Sequence, residues 1–214
     1  MFLASYRAAC TRAGRIGRFS SVVRVMSNLW IVPGSPALVA ELSPDPASRR
    51  LAGVVRQLAA TAGERPIDIV CSLDERWRTA VTGSFQAWGA PNTCVRSGNH
   101  VAELVARYAL GDPEVRGVRG TIGEFDRDTV TVVVIDGPAG LTPRAPLALI
   151  DGAPELHERL KRWLGGGGPE VVDKQSVLEP ALWEELATVR AERARLIDHD
   201  DTLGVGRYVA EWWV

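Results

Sequence analysis

From Asn28 onward the chain alternates between short, almost wholly apolar runs and longer stretches whose apolar residues recur every three or four positions. The first pattern predicts parallel strands covered on both faces, the second amphipathic helices. Residues 28–32 read as a strand closed by Pro33-Gly34-Ser35-Pro36, a run of breakers. Ser43 is placed to cap a helix beginning near 44–46, in which Leu51, Val54, Val55 and Leu58 form one stripe before Gly63 ends it. Residues 67–71 predict the next strand, 74–88 a loop or short helix, and 93–96 a further strand. Asn99 is expected to cap a helix with Val101, Leu104, Val105 and Tyr108 inward, stopped at Gly111-Asp112-Pro113. The β-branched run 129–135 is the clearest strand in the chain.

Two more helices follow in the pattern. The first covers 154–164 and buries Leu156, Leu160, Trp163 and Leu164; the second covers about 180–196 with Leu182, Leu186, Val189 and Leu196 inward. Gly165 to Gly168 form a hinge between them, and 205–214 read as a terminal strand. In that strand Gly206, Tyr208, Ala210, Trp212 and Val214 share an uncharged face, and Val205, Arg207, Val209, Glu211 and Trp213 share the other. Trp212 is therefore expected in the core, Trp213 at the surface or an interface with a second copy. Strands separated by helices predict an α/β fold, one domain with a mostly parallel sheet and helices on both faces.

At 214 residues the chain is long enough for one sizeable core. No run of 18 uncharged apolar residues predicts a membrane span, and a net charge of −1 disfavours broad electrostatic binding of nucleic acid. The charge is unevenly distributed. Five of the 25 basic residues (Arg7, Arg12, Arg15, Arg18, Arg24) precede Met26 with no acidic residue among them, so all 26 acidic side chains face 20 basic ones in the remainder. Residues 1–26 are read as a basic leader, with Met26 the expected start of translation, and 27–214 as the domain. Cys10, Cys71 and Cys94 have unrelated spacings, which suits unpaired thiols in a reducing cytoplasm.

Candidate chemistry is sparse. The four glycines at 165–168 lack the Lys-Ser/Thr of a phosphate loop, and Pro-Gly-Ser-Pro stands where a dinucleotide fingerprint would fall. His100 and His157 have no second histidine or cysteine three or four residues away, whereas His199 lies among Asp198, Asp200 and Asp201, either a polar turn or a site for a divalent cation. Ligands of open α/β sheets collect outside the carboxyl ends of strands. By that rule Ser35, Ser72, Asp74, Asp136 and Thr142 are cleft candidates.

Three stretches carry a resemblance. They are Ile31-Val32-Pro33-Gly34-Ser35-Pro36-Ala37-Leu38-Val39, Val133-Val134-Ile135-Asp136-Gly137-Pro138-Ala139-Gly140-Leu141-Thr142-Pro143, and Asp200-Asp201-Thr202-Leu203-Gly204-Val205-Gly206-Arg207-Tyr208-Val209-Ala210-Glu211-Trp212. With them the chain resembles an actinobacterial family of class III extradiol dioxygenase-like (LigB-like) proteins, and the resemblance implies a LigB-like fold. Active members of that superfamily hold Fe(II) with two histidines and a glutamate and use a further histidine. The corresponding stretches here read Gly34-Ser35-Pro36, Ser72-Leu73-Asp74 and Gly140-Leu141-Thr142-Pro143, without histidine. Glu179, Glu184 and Glu185 are candidates for the glutamate, with Glu185 best placed beside the Leu182–Leu186 stripe. The resemblance thus implies a degenerate iron site and a non-catalytic binding or interaction protein, with a small molecule as ligand. The alternative is a divergent enzyme holding Fe(II) or another divalent metal with Asp74, Glu185, His199 and Asp200.

Overall fold

The computed structural model describes residues 26–214; the basic leader and Cys10 lie outside the described residues. These residues form eight strands, β1 (Leu29–Val32), β2 (Ile67–Val70), β3 (Ser84–Phe85), β4 (Ala90–Cys94), β5 (Gly117–Arg119), β6 (Val130–Val134), β7 (Arg193–Asp200) and β8 (Arg207–Trp213). Four helices accompany them, α1 (Pro46–Ala59), α2 (Val101–Leu110), α3 (Ala153–Leu164) and α4 (Pro180–Thr188). Six strands make one sheet in the order β5-β2-β6-β1-β8-β7. The first four run parallel, while β8 is antiparallel to β1 and to β7. The β3–β4 pair is a separate antiparallel ribbon.

β1, β2 and β6 are buried along their whole length, as their nearly unbroken apolar reading predicts, and the burial includes Asp68 and Thr131. Alternate side chains feed two cores. Trp30, Val32, Ile69, Val132 and Val134 pack with Leu51, Val55, Leu104 and Val105 of α1 and α2. On the opposite face Leu29, Ile31, Val133 and Ile135 pack with Leu156, Leu160, Leu182 and Leu186 of α3 and α4. The sheet is thus sandwiched between two helical layers, as the strand–helix alternation predicts.

Several expectations need correction. α1 is capped by Asp45, whose carboxylate accepts from the Ser48 backbone N–H at 2.8 Å, while Ser43 accepts one step earlier from the N–H of Asp45. His100, not Asn99, occupies the cap position of α2, and Asn99 turns its amide to the carbonyl of Thr79. The strand expected at 93–96 is shifted to Ala90–Cys94 and joins the ribbon, not the main sheet. The last predicted helix ends at Thr188, and Leu196 lies on β7. Residues 190–196 are good helix formers, but β8 offers a ladder partner over the length of β7, and pairing overrides propensity. The 198–201 cluster is consequently strand rather than turn over its first three residues. Finally, the charged face of β8 is covered too: Arg207 is fully buried and Glu211 nearly so, because α1 packs over the β7–β8 hairpin.

Candidate functional site

The carboxyl ends of β1, β2 and β6 open into a cavity of about 170 Å³. Gly34 and Pro36 follow β1, Ser72 follows β2, and Val134, Ile135 and Asp136 close β6. Trp77 and Trp88 form aromatic walls from two single-turn 3-10 helices; Val101 and Ala102, the first turn of α2, make a third wall, with Leu178 and Glu179 ahead of α4 completing the lining. The position obeys the rule for open α/β sheets. The close fit begins at Gly34, where a Cβ would stand 3.4 Å from Val134 Cγ1 and 3.5 Å from Asp136 Oδ2.

Two carboxyl groups supply the polarity. Asp136 receives the backbone N–H groups of Gly34 and Ser35, while its Oδ1 is buried without a hydrogen-bond partner. Its backbone carbonyl is fixed by the Trp183 indole N–H at 2.9 Å. Burial pushes the Asp136 carboxyl up to about 7, with the neighbouring Glu179 charge adding to the rise against the attraction of Arg207. Glu179 accepts hydrogen bonds from the Ser72 and Trp77 side chains, yet burial holds its carboxyl above the ordinary range as well. Desolvation thus raises the proton affinity of both carboxyl groups that face the cavity.

A second polar group lies beyond Gly137. His157 Nδ1 and Tyr208 Oη share a buried hydrogen bond of 2.6 Å, the two rings stack at 5.3 Å, and the His199 ring stands edge-on 6.1 Å from that of His157. Burial lowers the His157 pKa and raises that of Tyr208 well above its ordinary value. Gly137 and Gly206 are required here, because a Cβ at either would come within 2.6 Å of a Tyr208 ring or hydroxyl atom. This packing is a structural reason for the glycines in both stretches.

Of the residues singled out from the sequence, Ser72 and Asp136 line the cavity. Ser35 contributes its backbone N–H to Asp136. Asp74 caps the turn carrying Trp77 and pairs with Arg76 at 3.0 Å near the mouth. Thr142 is turned toward the 204 loop, 2.7 Å from where a Gly204 Cβ would stand. Glu185 lies elsewhere: it accepts from the Ile122 backbone N–H at 2.5 Å and lines a different hollow with Thr121 and Phe125. The glutamate of the cavity is Glu179, at the cap position of α4, and the signal for it is its place directly before the helix-opening Pro180. Trp77 and Trp88 escape a reading of the sequence because nothing in their spacing distinguishes a cleft wall from core.

The alternative metal set is not assembled. On β7 successive side chains diverge, so Asp198 and Asp200 meet Arg50 and Arg207 while His199 turns toward His157. Asp200 is committed to a buried ion pair with Arg207, and Glu185 and Asp74 are placed as above. Among the described residues no group of three or more His, Cys, Asp or Glu is arranged to hold a metal ion. The described lining of the cavity offers two carboxyl groups and no imidazole, a donor set that does not fit the Fe(II) implied by the resemblance. Among the described residues no helix is long and apolar enough to cross a membrane. No protein-family model matches the chain, and no curated protein matches it.

Proposed function

We propose that this chain is a LigB-like domain that has lost the iron-binding histidines and acts as a non-catalytic binding protein for a small molecule. The observation that carries the reading is the cavity at the carboxyl ends of β1, β2 and β6, walled by Trp77 and Trp88 and holding a buried, unpartnered carboxylate oxygen on Asp136. Apolar walls with a few convergent polar groups are the usual construction of a ligand site. Leaving that Asp136 oxygen without a partner costs the fold about 1–3 kcal/mol, a cost that a hydrogen-bond donor on a ligand would offset. Ser35, Asp74 and Pro143 occupy the positions at which the resemblance implies imidazoles, and none of them can serve as one. The test is direct. After anaerobic loading with Fe(II), the protein is expected to consume no oxygen with protocatechuate, while its tryptophan fluorescence responds saturably to members of a small-molecule library. Oxygen uptake abolished by Glu179→Ala would replace this reading with a ring-cleaving enzyme.

A further inference from the structure

The proposed site is unbalanced in charge. Asp136 and Glu179 both reach the cavity, and no Lys or Arg stands among the described residues that line it. The cations that act on the two carboxyl groups are already committed. Arg207 acts on Asp136 from a distance while paired with Asp200 and with Asp45 at 3.3 Å, and Arg76 acts on Glu179 while paired with Asp74 at 3.0 Å. The first turn of α2 contributes a positive helix end, equivalent to about half a charge, which is less than two carboxylates carry. One oxygen of Asp136 is occupied by the Gly34 and Ser35 region of the backbone, and Oδ1 is left over. The indole of Trp77 turns its N–H to Glu179, and Trp88 closes the apolar side. Tryptophan faces are the strongest aromatic partners of a cation; the Arg76 guanidinium already stands 5.5 Å from the Trp77 ring centre, over one face.

Resting on the small-molecule reading above, we infer that the ligand is an organic cation: a protonated amine on an apolar body of about one ring, its ammonium held by Asp136 Oδ1 and Glu179 and its body against Trp77 and Trp88. The size follows from the volume. A cavity of about 150 Å³ holds one benzene ring, so 170 Å³ leaves little room beyond a ring and a short arm. Anionic ligands meet two carboxylates, and a neutral ligand leaves both uncompensated. A bound ammonium replaces the proton that the Asp136 carboxyl otherwise retains below about 7, so affinity rises with pH through that value. The charged groups that face Asp136 in that titration are Glu179 and Arg207, and those that face Glu179 are Asp74 and Arg76.

Matched probes separate the possibilities. Benzylammonium, 2-phenylethylammonium and cyclohexylammonium are titrated against benzyl alcohol, 2-phenylethanol, cyclohexanol and 3-phenylpropionate, at pH 6 and pH 8, with tryptophan fluorescence and calorimetry as readouts. At least one ammonium is expected to bind about tenfold or more tighter than its alcohol, a difference of the size that one charge-assisted hydrogen bond supplies. Asp136→Asn and Glu179→Gln should each remove most of that preference. Equal or tighter binding of the alcohols or the carboxylate would overturn the cation assignment and leave a small-molecule site standing. Absence of binding by every probe would overturn both, and an ammonium preference that survives both substitutions would move the site away from this cavity.

Discussion

Asp136 illustrates how much one buried carboxyl costs a fold when it lacks a full set of partners. Its folded carboxyl is raised from 3.8 to about 7 by burial. The folded chain therefore holds a proton that the unfolded chain releases near pH 4. The corresponding stability is fully present below the unfolded value and is lost as pH rises from about 4 through about 7. At about 1.4 kcal/mol for each pH unit the loss is at most about 4 kcal/mol. Asp136→Asn is expected to raise stability by up to that amount at pH 8 and to change it little at pH 4, as measured by chemical denaturation. A loss of stability at pH 8 would show that the charge serves the fold. Cys71, one residue before the cavity-lining Ser72, is the contrasting case: burial pushes its thiol up to about 12, so it is packing and not a nucleophile.

β8 carries the most packing of any single element at the chain end. Tyr208, Ala210 and Trp212 enter the core beneath α3 and α4, as their uncharged alternation predicts. Trp212 donates its indole N–H to the Leu164 carbonyl at 3.1 Å and packs 5.8 Å from the Trp163 ring. Trp213, on the opposite face, lies under the Arg193 guanidinium at 4.5 Å and is only part-buried. Trp212→Ala should cost about 3–5 kcal/mol, a large share of the roughly 5–15 kcal/mol that holds a domain together. Trp213→Ala should cost about 1 kcal/mol or less, the worth of an exposed cation–π contact. Denaturation midpoints of the two variants measure the difference, and a reversed order would invert the facing of the strand.

Across the whole molecule, one buried ion network ties the antiparallel edge of the sheet to the helical layer. Arg207 pairs with Asp200 and Asp45 and donates to the Ser48 hydroxyl, and Arg50 of α1 reaches Asp198 on β7. Residues from the first helix and from the last hairpin, about 150 positions apart in sequence, thus share one set of charges. Arg207→Leu should destabilise the protein by about 3–5 kcal/mol, because it leaves buried Asp200 with only the half-exposed Arg50, 3.8 Å away, as counter-charge. The double variant Arg207→Leu/Asp200→Leu should be more stable than the single one. If thermal unfolding shows the double variant to be the weaker of the two, the network is not the connection described.

Much of this architecture is legible in the sequence, for a physical reason. Strands covered on both faces are apolar almost throughout, so β1, β2 and β6 announce themselves as runs, and helices covered on one face repeat every three to four residues. The rule that ligands gather at strand ends then selects Ser72 and Asp136 before any fold is known. What local patterning cannot contain is pairing across the chain. The conversion of 193–196 from helix to strand depends on β8, the dispersal of Asp198, His199 and Asp200 follows from that strand, and the burial of Arg207 depends on α1. The choice of Glu179 over Glu185, and the meeting of Trp77 and Trp88 across one cavity, are likewise decided only when distant segments converge. Local periodicity determines which apolar residues are buried; tertiary contact alone determines which charged residues join them and which buried residues meet.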